Sequence, residues 1–278
     1  MSRQLEPYQL IERSIQKKFH KVLWTPFITA IKQYELIAPG DRIAVCISGG
    51  KDSMLMAKLL QLLQRHSDVP FEVVNLVMDP GYNAVNRQKI ESNAALLHIP
   101  VTIFETNIFD VTSSIEQSPC YLCARMRRGY LYSKARELGC NKIALGHHMD
   151  DIVGTLLLNL FYGGRMKAMP PILRSDDKRN VVIRPLAYVR ESETEKFAKI
   201  RQYPLTSKGI CGAGENLKRQ EVKELIKAWD REFPGRIYNL FMSLQRVSPS
   251  HLMDKRLYDF HNFVPLLPAA SADEGEDE

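Results

Sequence analysis

The stretch that constrains this chain most is Ser48-Gly49-Gly50-Lys51-Asp52-Ser53, set between an apolar run at 43–47 and an amphipathic run at 54–64. Strand, glycine turn and helix in immediate succession form the unit from which parallel α/β sheets are built. Two glycines let the backbone pass close to a bound group with no Cβ in the way. The first-turn amides and the positive end of the helix dipole then face that group, which suits an anion. Lys51 adds a full charge, and Ser48 and Ser53 add hydroxyl donors. The stretch reads as a phosphate cradle. It differs from the common P-loop, in which a serine or threonine follows Gly-Lys directly; here Asp52 holds that place.

Further strands are expected at 71–78, 101–104, 142–145 and 181–183, alternating with helices at 51–66, 83–98, 121–138 and 150–161. That alternation predicts an α/β fold with a parallel five-stranded sheet and helices on both faces, ligands binding at the carboxyl ends of the strands. Residues 1–38 predict an N-terminal helical arm. Leu10, Ile11, Ile15, Phe19, Val22, Leu23 and Phe27 make its apolar stripe, Lys17, Lys18, His20 and Lys21 a solvated basic face, and Pro26 a break. The α/β domain is expected over 39–204 and a helical C-terminal subdomain over 205–268, with helices at 216–229 and 235–246. A disordered acidic tail is expected over 269–278.

At 45% hydrophobic and 25% charged residues, the chain has the composition of a soluble globular protein. Residues 1–18 are polar, so no secretory signal is expected. The longest apolar stretch, 152–162, contains Gly154, Thr155 and Asn159 and is too short to cross a bilayer. A cytoplasmic protein without membrane contact is expected. The net charge of +6 hides an asymmetry, because Asp273, Glu274, Glu276, Asp277 and Glu278 crowd the C-terminus. Setting those five acids aside leaves 38 bases against 27 acids, about +11 on the body, which suits a polyanionic partner such as a nucleic acid.

A second motif, Gly146-His147-His148-Met149-Asp150-Asp151, follows the fourth strand and enters a helix. Acids there can simply cap the helix. One or both carboxylates, Asp151 first, can also help place Mg²⁺ on a triphosphate, since hard cations take oxygen ligands. His147 and Asp151 are four apart and so expected on one helix face; His148 is the weaker candidate.

The five cysteines do not suggest a disulfide framework. Cys46 and Cys140 lie in or beside strands and are expected in the core. Cys120 and Cys123 open a helix that carries Arg125, Arg127 and Arg128, which together with the helix dipole favours thiolates. Cys211 lies 88 residues beyond Cys123 in a glycine-rich loop. A redox pair, a structural zinc site and a [4Fe-4S] cluster on three thiolates all remain open on spacing alone.

SGGKDS resembles the signature of the PP-loop ATP pyrophosphatases, which release pyrophosphate so that a substrate oxygen becomes adenylated. With PCYLCARMRRGYLY (119–132), GHHMDDIVGTLLLNLFYGGRMKAMPP (146–171), VIRPLAYVRE (182–191) and CGAGENLKRQ (211–220), the chain is similar over roughly residues 10–260 to the tRNA 2-thiocytidine synthetases. The resemblance implies an adenine-nucleotide α-hydrolase-like fold and ATP, Mg²⁺ and a [4Fe-4S] cluster as cofactors. It makes Cys120, Cys123 and Cys211 the cluster ligands, with a homodimer and tRNA as partners. Lys208 stands where some relatives carry another cysteine, and 78–82 departs from the family pattern.

The implied reaction is transfer of AMP onto the C2 oxygen of an anticodon-loop cytidine, then replacement of that oxygen by sulfur. Catalytic roles fall to Lys51, Cys120, Cys123 and Cys211. Nucleotide binding falls to Ser48, Gly49, Gly50, Lys51, Asp52, Ser53, Gly146, His147 and Asp151. A sulfur donor such as a cysteine desulfurase is implied. Arg125, Arg127, Arg128, Arg165, Lys167 and Arg174 are candidates for RNA contact, and Tyr162, Met169 and Tyr188 for a base slot. The alternatives are a 2-thiouridine synthetase, a lysidine-type ligase using an amine nucleophile, or a non-catalytic metal-containing RNA-binding protein.

Overall fold

The structure, a computed structural model, describes residues 5–113, 119–175, 177–201 and 217–262. Among them six strands form one sheet: β1 (Arg42–Ile47), β2 (Glu72–Asp79), β3 (Thr102–Glu105), β4 (Lys142–Ala144), β5 (Ile172–Arg174) and β6 (Val181–Ile183), in the order β3-β2-β1-β4-β6-β5. β1 is buried on both faces, as a central parallel strand requires. Ile43, Val45 and Ile47 join one apolar cluster, and Ala44 and Cys46 join the other. All five strands expected from the sequence are present and mutually parallel.

The expectation of five strands is corrected by β5, which pairs antiparallel with β6 in the register Ile172↔Ile183 to Arg174↔Val181. Three residues behind Pro170-Pro171 show no strand periodicity of their own. They are held at the edge by a turn in which Ser175 N donates to Asn180 O at 2.8 Å.

The helices are α1 (Pro7–Gln16), α2 (Thr25–Gln33), α3 (Lys51–His66), α4 (Ala84–Leu96), α5 (Ile108–Ser113), α6 (Pro119–Glu137), α7 (Met149–Gly163), α8 (Glu191–Arg201), α9 (Leu217–Glu232) and α10 (Arg236–Ser243). A π-helical turn, His20–Trp24, joins α1 to α2. Pro26 therefore lies at the start of a helix rather than stopping one, directly after the π-helical turn. Ile11, Ile15, Phe19, Leu23 and Phe27 are buried, with Phe19 edge-on to Phe197 at 5.1 Å between centroids. Each such side chain contributes about 1.5–3 kcal/mol of burial. Lys17, Lys18, His20 and Lys21 remain exposed. The fully buried Lys58 ties α3 to this arm through Glu12 and donates to Leu97 O at 2.8 Å.

Cys46 and Cys140 lie in the second cluster, beneath α6. Burial, with Cys140 adding to it, pushes the Cys46 thiol up to about 12, so it stays a protonated core side chain.

The chain divides into two compact units, 1–237 and 238–278. The first holds the whole sheet. Within the second, Arg256 Nε donates to Asp254 Oδ1 at 2.9 Å and Tyr258 meets Phe260 at 5.0 Å. The acidic tail lies outside the described residues. In the sheet, the chain leaves β1 towards β2 and β3, then returns to β4 on β1's other side. The crevice of such a sheet opens at this reversal, and both glycine motifs leave strands there.

Candidate active site

Gly49 takes φ +81°, a conformation that side chains rarely adopt, and Gly50 is the extended residue before α3. Ser53 folds the loop on itself. Its Oγ accepts from Ser48 N at 3.1 Å, donates to Gly50 O at 3.0 Å and stands 3.2 Å from Ser48 Oγ. The Ser53 hydroxyl proton is thus engaged inside the loop, and Ser53 shapes the cradle rather than donating across it. The free amides of the first turn of α3 and the Lys51 ammonium remain to meet an anion.

Gly146 puts the second motif against the first. A Cβ there would stand 3.1 Å from Ser53 N and 3.2 Å from Ser53 Cα. The chain then turns into α7 with His148 as its N-cap. Asp151 N donates to His148 Nδ1 at 3.3 Å while His148 N donates to Asp151 Oδ2 at 3.1 Å. This capping box leaves the buried His148 with Nε2 3.4 Å from Asp151 Oδ2 and 4.0 Å from Asp52 Oδ2. His148, the weaker candidate on sequence, is the residue between the two motifs. The helical-face argument pairing His147 with Asp151 does not hold, because α7 begins at Met149 and His147 lies outside it.

The two carboxylates divide their roles. Asp150 is held by Arg190 at 3.0 and 3.2 Å and accepts from Glu191 N at 2.7 Å, so it braces the start of α8. Asp151 is partly open to solvent. Among the described residues no group of three His, Cys, Asp or Glu side chains is arranged to hold a metal ion. An Mg²⁺ taking one oxygen from Asp151 and the rest from phosphates and water fits this donor set, as is usual for that ion.

Charge is concentrated around Lys51. Its Nζ lies 2.8 Å from Asp52 Oδ2 and 3.4 Å from Glu191 Oε1, and Lys223 of α9 reaches the same Glu191 oxygen at 2.7 Å. Burial works against the Lys51 charge, but Asp52 and Glu191 more than offset it and raise its pKa. Burial likewise opposes ionisation of Glu191, yet Lys223, His148 and Lys51 bring it down to about 2. His147 is lowered to about 4, chiefly by burial, which outweighs the pull of Asp151, while Arg184, His148 and Arg219 add to the lowering. It is neutral at pH 7, and its buried Nδ1 has no hydrogen-bond partner among the described residues. Sequence reasoning assigned no role to Arg190, Glu191 or Lys223. The only signal was the unexplained Arg-Glu pair closing VIRPLAYVRE.

The Cys-x-x-Cys segment opens α6. That helix ends near the amino edge of the sheet, where Asn141 N donates to Arg42 O, so its first turn lies towards the carboxyl edge. Cys123 is a half-buried cysteine outside any disulfide, close to Arg127 and Tyr82. Asp79 at the end of β2 positions that tyrosine by accepting from Gly81 N at 2.9 Å and Tyr82 N at 2.6 Å. A thiol at a helix start beside a guanidinium suits a metal-bound thiolate. The side chain of Cys120 and all of Cys211 lie outside the described residues.

The PP-loop domain model matches residues 11–207. The tRNA-cytidine(32) 2-sulfurtransferase of Bordetella avium is 45% identical over 268 residues, covering 94% of this chain and 84% of that one. This chain belongs to the PP-loop family, in its tRNA-cytidine 2-sulfurtransferase group. The Teredinibacter turnerae protein of the same name is 47% identical over 250 residues, 88% of this chain and 83% of that one. Among solved structures, the U34-tRNA thiolase NcsA from Methanococcus maripaludis with its [4Fe-4S] cluster shares the fold, with a TM-score of 0.64 at 21% identity over 80% of this chain and 77% of that chain.

The surfaces around the Ser48–Ser53 loop differ in exposure and packing. Arg165 and Lys167 follow the left-handed Gly164, Arg174 lies on β5, and all three are exposed, as are Arg125 and Arg128. Tyr162 is exposed, with Lys218 over its ring at 4.7 Å. Tyr188 does not fit a base slot. Its hydroxyl donates to Gln33 Oε1 at 2.8 Å, and its ring stacks on Tyr34 at 6.3 Å, against the arm.

Proposed function

We propose that this PP-loop enzyme thiolates tRNA: ATP adenylates the C2 oxygen of a cytidine, position 32 in the anticodon loop by analogy with its relatives, and sulfur replaces that oxygen. The observation that carries the reading is the backbone contact of Gly146 with Ser53, which joins the two nucleotide motifs into one site.

A carbonyl oxygen at C2 is a poor leaving group. Attack of that oxygen on the α-phosphorus makes an O–P bond and breaks the bond to pyrophosphate. The first turn of α3 and Lys51 receive the charge that develops on pyrophosphate, in a site organised before the reaction begins. Asp151 would offer one oxygen to Mg²⁺, which would neutralise charge on the triphosphate. A sulfur nucleophile then forms a bond to C2, and AMP departs with the original oxygen. Cys120, Cys123 and Cys211 would hold a [4Fe-4S] cluster, which with three protein thiolates keeps one iron open to a small sulfur ligand.

The exposed Arg125, Arg128, Arg165, Lys167 and Arg174 supply phosphate contacts that position the RNA. A cysteine desulfurase serves as sulfur donor, the working form is a homodimer, and the site of action is the cytoplasm. Among the described residues no helix is long and apolar enough to cross a membrane.

The test is to purify the protein without oxygen, measure iron and sulfide, and incubate it with ATP, Mg²⁺, sulfide and unmodified tRNA. Formation of 2-thiocytidine supports the reading. Release of pyrophosphate with an amine adduct and no thionucleoside would replace it with a ligase.

A further inference from the structure

The geometry points to Glu191 as the positioning residue of the phosphate cradle: it holds the PP-loop lysine, Lys51, and a second lysine, Lys223, on one carboxylate oxygen, and so fixes where the cradle's charge stands. This rests on the ATP-dependent reading of the site and goes beyond it in assigning α8 and α9 a part in nucleotide binding.

Glu191 is itself anchored through its backbone. Its amide donates to Asp150 Oδ2 at 2.7 Å, and Asp150 is clamped by Arg190, whose Nη2 also lies 3.0 Å from Asp230 of α9. The second glycine motif therefore sets the position of the first motif's lysine through α8. The Glu191 side chain is 13% exposed and that of Lys51 14%, so the pair is shielded from bulk water. Lys223, at 43%, is the open end of the chain.

A lysine is a compact charge on a flexible stem with many rotamers, so a loop relying on its ammonium gains from a partner that limits its range. Asp52 lies next to Lys51 in sequence and cannot by itself fix the direction in which the stem extends. Glu191, 140 residues away, supplies the second point. Sharing its oxygen with Lys223 weakens its hold on Lys51, so a triphosphate can draw Lys51 away. The other charged groups facing Lys51 are Asp52 on α3 and Glu195 on α8, with His148 at the start of α7 acting on Glu191.

The test uses the full chain and ATP alone, with no tRNA and no cluster chemistry. Two quantities are read: ATP affinity by calorimetry, and the acylation rate of Lys51 under trace acetic anhydride, followed by mass spectrometry, which reports the free-amine fraction. Glu191→Gln is expected to weaken ATP binding about tenfold, equivalent to about 1.4 kcal/mol, and to speed Lys51 acylation severalfold. Lys223→Met, a change on an exposed side chain, is expected to slow Lys51 acylation, because Glu191 then has one lysine instead of two. Glu193→Gln, whose carboxylate pairs with Lys196, leaves both quantities at wild-type values.

Opposite shifts in the Glu191 and Lys223 variants support the assignment. Unchanged Lys51 acylation in Lys223→Met overturns it, even if Glu191→Gln fails to fold. Absence of thionucleoside from wild-type reactions would sink the functional reading while leaving this result to stand on its own.

Discussion

Gly146 and Ser53 meet backbone to backbone, so closely that a methyl group would require the backbone to give by a few tenths of an ångström: a Cβ on residue 146 would stand 3.1 Å from Ser53 N and 3.3 Å from the Asp52 carbonyl carbon. The contact lies across the reversal between β1 and β4, and it makes one site of two motifs almost a hundred residues apart. The atoms on the Ser53 side belong to the first turn of α3, which is backbone and cannot swing aside.

Gly146→Ala should therefore push the start of α3 away from β4. The expected outcome is a loss of about 1–3 kcal/mol in denaturant unfolding, as for other overpacked sites. A misplacement of this kind also predicts about a hundredfold loss in pyrophosphate release. Full activity in this variant would show that the close approach is not needed.

Lys51→Ala should remove the charge facing the leaving pyrophosphate. Pyrophosphate release is expected to fall by about 10² to 10³, the range seen when one organised electrostatic donor is lost, with the unfolding midpoint little changed. The measurement is the release rate under saturating ATP.

Cys123→Ser should lower the iron content of anaerobically purified protein and abolish thionucleoside formation while leaving ATP affinity unchanged. The thiol lies on α6, and the phosphate cradle at the start of α3. Iron and sulfide assays, with calorimetry on the same samples, check both halves.

Acid should destabilise the fold in two steps. The buried neutral His147, lowered to about 4, takes its proton later than in the unfolded chain, so stability falls as pH drops from about 6.5 towards 4. Glu191, lowered to about 2, contributes stability that is complete above its unfolded value near 4.5 and is lost as pH falls through 2. Denaturant unfolding across pH 2–7 reads both, and Glu191→Gln is expected to flatten the lower step only.

The parts legible in the sequence are those in which backbone chemistry is local. SGGKDS and GHHMDD announce strand ends and helix starts through glycine and capping residues, and five parallel strands follow from apolar runs of the right length. The parts that were not legible depend on distant partners. β5 exists because it can pair with β6, and three residues after two prolines carry no period to reveal it. Asp150 and Asp151 are neighbours in the chain, yet only the arrival of Arg190 and Glu191 commits Asp150 to bracing α8. His148 gained its central place by capping α7, which moved His147 off the helix. Tyr188 read as a candidate base platform until Tyr34 and Gln33 of the arm claimed it.

The adenylation step is tested most directly by labelling the C2 oxygen of the target cytidine with oxygen-18 and analysing the nucleotide released during thiolation. The account predicts AMP carrying the label, with unlabelled pyrophosphate formed in equal amount. Unlabelled AMP, or ADP with inorganic phosphate as the products, would contradict it.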